Sequence, residues 1–232
     1  MRFIKFFSLF KAQFLATIEG IVIFFPNPLG RRLRYLFWKI FLKSLGKNVT
    51  FGVGVKIANP QYVSIGNNCW IDDYVLITAG PLHFEGENVN RKCNPDYNLT
   101  EGEIHIGDYV HIAPFVVLQG HGGIYIGNSL TIASGSKIYS LIHNYQDFNI
   151  SARKNIVYKF VGLVPSEEQS LICSPIVIHD NTAVGLNSVI LPGSTIGLNS
   201  WLGAQSLLKG TLPENIIAYG SPAKIIKNRF ES

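Results

Sequence analysis

The chain has 232 residues, 47% of them hydrophobic and only 15% charged, a balance that supplies a sizeable core and excludes a disordered or coiled-coil protein. Three cysteines (Cys69, Cys93, Cys173), odd in number and without a CxxC pair, give neither a disulfide framework nor a zinc motif, so a reducing cytoplasm is the expected location. The net charge of +5 is uneven, since residues 1–50 hold nine Lys and Arg against one acid, Glu19; no nucleic-acid partner is expected.

Residues 1–47 read as a basic amphipathic helical region. Over residues 29–45, Leu29, Leu33, Leu36, Phe37, Ile40 and Leu45 fall near helical spacing, with Arg31, Arg32, Arg34, Lys39 and Lys43 among them. Together with the Phe-rich residues 3–25, such a helix has two uses. It lies peripherally on an anionic membrane, each basic residue contributing about 1 kcal/mol, or it packs on the protein's own core or a neighbouring subunit. A membrane span is not expected, because Lys11, Gln13 and Glu19 interrupt the opening stretch before the roughly 20 apolar residues a bilayer requires. Lys11 also spoils the apolar core of a cleavable signal peptide.

From Val49 onward the period becomes six. Aliphatic residues recur at Ile65, Ile71 and Ile77; at Ile106, Ile112, Leu118 and Ile124; at Ile126, Ile132 and Ile138; and at Ile178, Val184, Ile190, Ile196, Leu202 and Leu208. Neither a helix nor an ordinary strand has this period. Four positions after many of them stands a small or β-branched residue such as Cys69, Val75, Val110, Thr182, Ser188, Ser194 or Ser200. Both positions point inward only if short strands meet at tight corners. The Gly directly after the aliphatic (Gly66, Gly107, Gly127, Gly185, Gly197, Gly203) and the Asn or Asp that follows (Asn67, Asp108, Asn128, Asn187, Asn199) are expected to take the positive φ of those corners. Three hexads then close one triangular coil, and residues 48–212 form an all-β parallel β-helix.

Two stretches leave the ladder, residues 79–103 and 141–175, and both carry Pro, Asn, Glu and Lys. Loops of this length inside a compact domain serve as lids or binding walls. His143 lies at the start of the second, five residues beyond Ile138. Abstracting a proton near neutral pH needs a base of near-neutral pKa, and imidazole suits that task. Residues 213–232 form an extension in which Ser221 is expected to cap, and Pro222 to begin, a short C-terminal helix. Lys224 and Lys227 would then lie one turn apart, placed to meet a phosphate.

The hexads, the His143-Asn144-Tyr145 stretch and the terminal Gly220-Ser221-Pro222-Ala223-Lys224-Ile225-Ile226 resemble the hexapeptide-repeat acyltransferases of the sugar O-acetylating and maltose/galactoside type. That resemblance implies a left-handed prism, an exception to right-handed crossovers, and a homotrimer binding acetyl-CoA between two prisms. It implies His143 as the catalytic base and His121 as an acceptor-binding residue, at a position where galactoside enzymes carry an acid. Their acceptor-binding Asn corresponds to Ala113, so the acceptor differs. Donor contacts carry over to Leu186, Ala204, Lys209, Gly210, Lys224 and Lys227. The family's Trp beside the donor corresponds to Ala183, with Trp201 one coil later. A metal is not expected: His105 and His111, six apart and placed to stack on one face, lack a third histidine.

The function so implied is transfer of acetyl from acetyl-CoA to a sugar hydroxyl in bacterial surface polysaccharide synthesis, without a covalent acyl-enzyme. N-acetylation of a nucleotide-linked amino sugar is the alternative enzyme activity, and a non-catalytic scaffold the alternative of another class.

Overall fold

The computed structural model describes residues 2–82, 89–91, 100–145, 157–165 and 168–231; Cys93 and the inner parts of both inserted loops lie outside them. The hexads close into triangular coils as expected. Among the described residues the first face stacks seven strands from Ser44–Leu45 to Thr211–Leu212. The third stacks six from Lys56–Ala58 to Leu207–Leu208, and the second runs from Thr50–Phe51 up to Ile216–Tyr219.

Neighbouring coils pair in parallel and in register, so equivalent hexad positions stack. Ile65, Ile106, Ile126, Ile178, Ile196 and Leu212 form one inward ladder. Phe51, Ile71, Ile112, Ile132, Val184, Leu202 and Ala218 form the second. Ile57, Ile77, Leu118, Ile138, Ile190 and Leu208 form the third. All are at most 5% exposed, and burying each Ile or Leu contributes roughly 1.5–3 kcal/mol. At the corners the buried serines hold adjacent coils together: Ser188 Oγ donates to Gly203 O at 3.0 Å and Ser200 Oγ to Pro213 O at 2.6 Å.

The glycines at the corners work differently from expectation. The positive φ falls on the third residue after the aliphatic, at Asn68, Tyr74, Tyr109, Phe115, Ser129, Asn181, Asn187, Asn199 and Gln205, and not on Gly66 or Gly107. What those glycines supply is close approach. A Cβ on Gly66 would lie 2.3 Å from Asp108 Oδ1 and 2.7 Å from the Gly107 carbonyl carbon, and one on Gly185 would lie 2.4 Å from Ala204 N. Of the expected Asn and Asp, only Asn187 and Asn199 have positive φ; Asp108 and Asn128 instead accept from the coil below, Asn67 N to Asp108 Oδ1 at 2.6 Å and Asp108 N to Asn128 Oδ1 at 2.8 Å.

The expected C-terminal helix is not formed. Residues 220–223 turn, and Lys224–Asn228 is a strand antiparallel to Ile216–Tyr219. Ser221 and Pro222 therefore make a hairpin turn in place of a cap and first helical residue. The physical reason is the open edge of the last coil, a row of unpaired backbone groups that a hairpin satisfies and a helix does not. The pairing shifts between Ile217 and Ala218, matching Tyr219 with Lys224 and Ile217 with Lys227. Cross-strand partners share a face, so this bulge keeps both lysines on one side although they stand three positions apart.

At the other end two helices cover the first coil, α1 (Arg2–Phe24) and α2 (Leu29–Phe41). The face of α2 that is buried carries Gly30, Arg34 and Trp38. Arg34 is fully buried, donating from Nε to Phe51 O at 2.9 Å, from Nη1 to Phe25 O at 2.8 Å and from Nη2 to Asn27 Oδ1 at 2.6 Å. Burial lowers the guanidinium's pKa from its ordinary value, against Asp73, which raises it, yet arginine keeps its proton under such conditions. Gly30 makes room for it, since a Cβ there would lie 2.1 Å from Phe25 O and 2.8 Å from Arg34 Nη1.

Candidate active site

The edge between the third and first faces is where the prism is interrupted. Three consecutive rungs, Leu76–Thr78, Val117–Gln119 and Lys137–Tyr139, stack there in register. The first and last feed the two inserted loops, and the middle one turns through Gly120-His121-Gly122-Gly123. His121 therefore sits between the two insertions. Its turn is tight, with Gly123 N donating to Gly120 O at 2.9 Å and Gly123 at φ +97°. A Cβ on Gly122 would lie 2.6 Å from Ser140 O and 2.7 Å from Ser174 N. Gly122 N instead donates to Ser140 Oγ at 2.8 Å, locking this rung to the next.

His121 Nδ1 lies 2.8 Å from the Gly80 carbonyl oxygen. A carbonyl only accepts, so Nδ1 carries the hydrogen and the neutral ring has its free lone pair on Nε2. This fixes an imidazole that accepts a proton or a hydrogen bond from whatever lies against it.

His143 follows on the next rung. Its strand, Leu141–His143, pairs antiparallel with Leu171–Cys173, which pairs in parallel with Val89–Arg91 from the first loop. The two insertions thus join in a three-stranded sheet beside the histidines. The His143 ring is exposed, with Phe160 of the second loop edge-on at 6.2 Å. The backbone beyond it is held by Asn144 N donating to Ser170 O at 2.7 Å.

The residues expected at the donor fall on other parts of the prism. Leu186 and Ala204 are exposed and stacked at the edge between the second and third faces, where Gln205 N donates to Leu186 O at 2.7 Å. Lys209 and Gly210 lie on the histidine edge, two rungs past Lys137–Tyr139, and Lys224 and Lys227 lie on the last strand of the second face. Beside it, a cavity of about 240 Å³ lies over Ala183 and its partner Trp201, bounded by Asn181, Thr182 and Arg229. Thr182 Oγ1 is buried there without a hydrogen-bond partner. Arg229 Nη1 donates to Asn199 O at 2.8 Å.

His105 and His111 do not share a face. A step of six is one side of the triangle, so His105 stands on the first face, stacked on Tyr125 at 5.1 Å, and His111 on the second, with Nε2 2.8 Å from Asp72 Oδ2. Burial lowers the His105 pKa from the ordinary histidine value, against Asp108, which raises it. Among the described residues no three His, Cys, Asp or Glu side chains converge where they would hold a metal ion. Cys69 is interior, its Sγ donating to Gly107 O at 3.1 Å, and burial pushes its thiol pKa up, which makes it a poor nucleophile.

Sequence reasoning missed three features of the site. Gly80 as the partner of His121 and Phe160 as the neighbour of His143 lie at long separations from them, and no local spacing signals such contacts. Tyr74 and Phe115 also went unremarked. They occupy the positive-φ position of successive corners on the Leu186 edge and stack at 5.4 Å with 3° between the rings.

No family model matches the chain. The dTDP-4-amino-4,6-dideoxy-D-glucose acyltransferase of Escherichia coli is 29% identical over 187 residues, 81% of this chain and 82% of that one. The galactoside O-acetyltransferase of Escherichia coli (strain K12) is 28% identical over 175 residues, 74% of this chain and 66% of that one. Among solved structures, a point mutant of AntD, an N-acyltransferase from Bacillus cereus, in complex with dTDP-4-amino-4,6-dideoxyglucose and coenzyme A, superposes with a TM-score of 0.66 at 26% identity, covering 85% of this chain and 89% of that chain. The in-register hexad ladders and these relatives show a hexapeptide-repeat, left-handed β-helix acyltransferase related to sugar and nucleotide-sugar acyltransferases.

Proposed function

We propose that the protein transfers an acetyl group from acetyl-CoA to the amino group of a nucleotide-linked amino sugar. The observation that carries this is the placement of His121 and His143 on adjacent rungs, at the one edge where both insertions leave the prism. The choice of an amine over a hydroxyl is supported by two relatives that act on or bind an amino-dideoxy sugar nucleotide. It is also supported by Ala113, which takes the place of the Asn that holds a galactoside-type acceptor.

In this scheme the acceptor nitrogen attacks the thioester carbonyl and the C–S bond breaks. His143 takes the proton the nitrogen loses and returns it to the departing thiolate. His121 contacts the acceptor through Nε2, as hydrogen-bond acceptor. Leu186 and Ala204 offer backbone groups to the pantetheine arm and Lys224 and Lys227 serve the donor's nucleotide end, while Lys209 and Gly210, on the histidine edge, meet the donor that the neighbouring copy holds. Within one chain the His143 edge and the Leu186 edge lie on opposite sides of the third face, roughly 15 Å apart at about 3.3 Å per residue. In this scheme a neighbouring copy in a homotrimer brings its donor edge against this imidazole and completes the site.

CoA release with acetyl-CoA tests this, using a dTDP-linked amino sugar and a neutral sugar as acceptors. The amino sugar is expected to react faster, and His143→Ala to lose about 10²- to 10⁴-fold in rate. A preference for the neutral sugar would transfer the assignment to O-acetylation of a polysaccharide precursor. A full rate in His143→Ala would remove its role, and no release with either acceptor would leave a scaffold.

A second assignment of the base has one observation in its favour, the tautomer of His121 set by Gly80. Loss of rate in His121→Ala with retention in His143→Ala would select it.

No helix among the described residues is long and apolar enough to cross a membrane. We place the protein in the cytoplasm, peripheral to the inner face of the membrane through residues 1–45. Support comes from α2, whose Leu29, Leu36 and Ile40 are 54%, 57% and 75% exposed with Arg32 and Lys39 along the same flank.

A further inference from the structure

A cavity of about 350 Å³ lies between the flank of α2 and the first coil, lined by Arg31, Arg32, Tyr35, Leu36, Asn48 and Thr50. Both arginines are exposed, and among the described residues neither makes an ion pair. Helix α2 begins without a capping side chain and without an acid in its first turn. The positive end of the helix, Arg31 and Arg32 therefore reinforce one another at this point, whereas the buried Arg34 is already met by Phe51 O, Phe25 O and Asn27 Oδ1. Such a concentration of positive charge calls for an anion from outside the chain.

The walls are fixed in advance. The Tyr35 hydroxyl donates to Gly46 O at 3.0 Å, and Asn48 Nδ2 donates to Asn68 Oδ1 at 2.9 Å. A ligand entering here meets a formed site and loses little by ordering it. Leu36 belongs at once to the cavity and to the exposed stripe of Leu29, Leu36 and Ile40. On α1, Phe14, Ile21 and Phe24 are likewise 60%, 60% and 57% exposed. A soluble phosphate would satisfy the arginines and leave these apolar side chains in water. A phosphate with acyl chains attached satisfies both.

We propose that this cavity binds the phosphate head group of an anionic membrane phospholipid. Arg31 and Arg32 take the phosphate oxygens as charge-assisted donors, and Leu29, Leu36 and Ile40 enter the acyl boundary. The assignment rests on the peripheral membrane contact proposed above and gives that contact a defined site.

The test is sedimentation of the full-length protein with vesicles of phosphatidylglycerol or of phosphatidylcholine, comparing wild type with two double variants that remove the same charge. Arg31→Ala/Arg32→Ala removes the cavity's donors, and Lys39→Ala/Lys47→Ala removes basic side chains outside it. Wild type is expected to bind phosphatidylglycerol vesicles, the lysine variant to weaken by about thirtyfold, and the arginine variant by about tenfold more. Both variants should keep the acyl-transfer rate of wild type, which shows that they fold. Equal weakening in the two variants would overturn the site while leaving a general membrane contact in place. Absence of wild-type binding to either vesicle would overturn the contact and the lipid assignment together. In that event an Arg31/Arg32-dependent response to glycerol 3-phosphate would reassign the cavity to soluble phosphate esters.

Discussion

Aliphatic residues recur at regular spacing both in the prism and along α2, and the two regions turn them in opposite directions. In the prism Ile71, Ile112 and Ile132 are fully buried, whereas on α2 Leu29, Leu36 and Ile40 face outward. Periodicity identifies the element in each case, but only in a closed coil does it also decide which side faces the core. A triangular coil has one inside, and every rung must fill it with apolar side chains. A helix lying across the end of a prism has two apolar options, and here the buried stripe is taken by Gly30, Arg34 and Trp38. Three backbone and side-chain oxygens already wait for the guanidinium there. The apolar stripe of Leu29, Leu36 and Ile40 is left exposed.

Substitutions of one isoleucine in each region should separate the buried ladder from the exposed stripe most sharply. Ile132→Ala opens a cavity in the stacked ladder and should cost about 2–5 kcal/mol in urea unfolding, while Ile40→Ala should stay within about 0.5 kcal/mol. Equal losses at the two sites would mean that α2 is buried in solution, against a partner copy or another part of the chain.

A smaller contrast separates the two kinds of glycine. Gly107→Ala forces a Cβ to within 2.6 Å of the Gly127 oxygen and the Asn128 side chain, and should cost about 1–3 kcal/mol by overpacking. Gly162→Ala, with nothing within 4 Å, should leave the unfolding midpoint within about 0.5 kcal/mol of wild type. A neutral Gly107→Ala would show that the coils have room to separate, and that close approach is not what the corner requires.

Much of the prism was legible because its signal is repeated: each hexad restates the same inward pair, so Ile178 through Leu208 could be placed without any long-range information. The insertions were legible as interruptions, but their joining into one sheet was not. The pairing of Leu171–Cys173 with Val89–Arg91 spans a long separation in sequence and follows no local period. At the corners, the chemistry of Gly suggested positive φ, while stacking between coils imposed the stronger demand for space. At the C-terminus, Ser-Pro matched a helix start, yet the open edge of the last coil had more to gain from a strand. Of the candidate site, the histidines could be chosen from sequence. The Gly80 carbonyl that fixes the His121 tautomer could not, because it belongs to a rung that only the fold places beside it.

In the proposed site, His143 of one copy works on a donor held by the Leu186–Ala204 edge of another. Mixing two inactive proteins tests it most directly: His143→Ala, and Ala204→Trp, which blocks the donor edge. Unfolded together and refolded, they should regain part of the CoA-release activity in mixed trimers, because one seam of such a trimer pairs an intact histidine edge with an intact donor edge. A refolded mixture shown to contain both chains and yet inactive, or a monomer that is active alone, would contradict it.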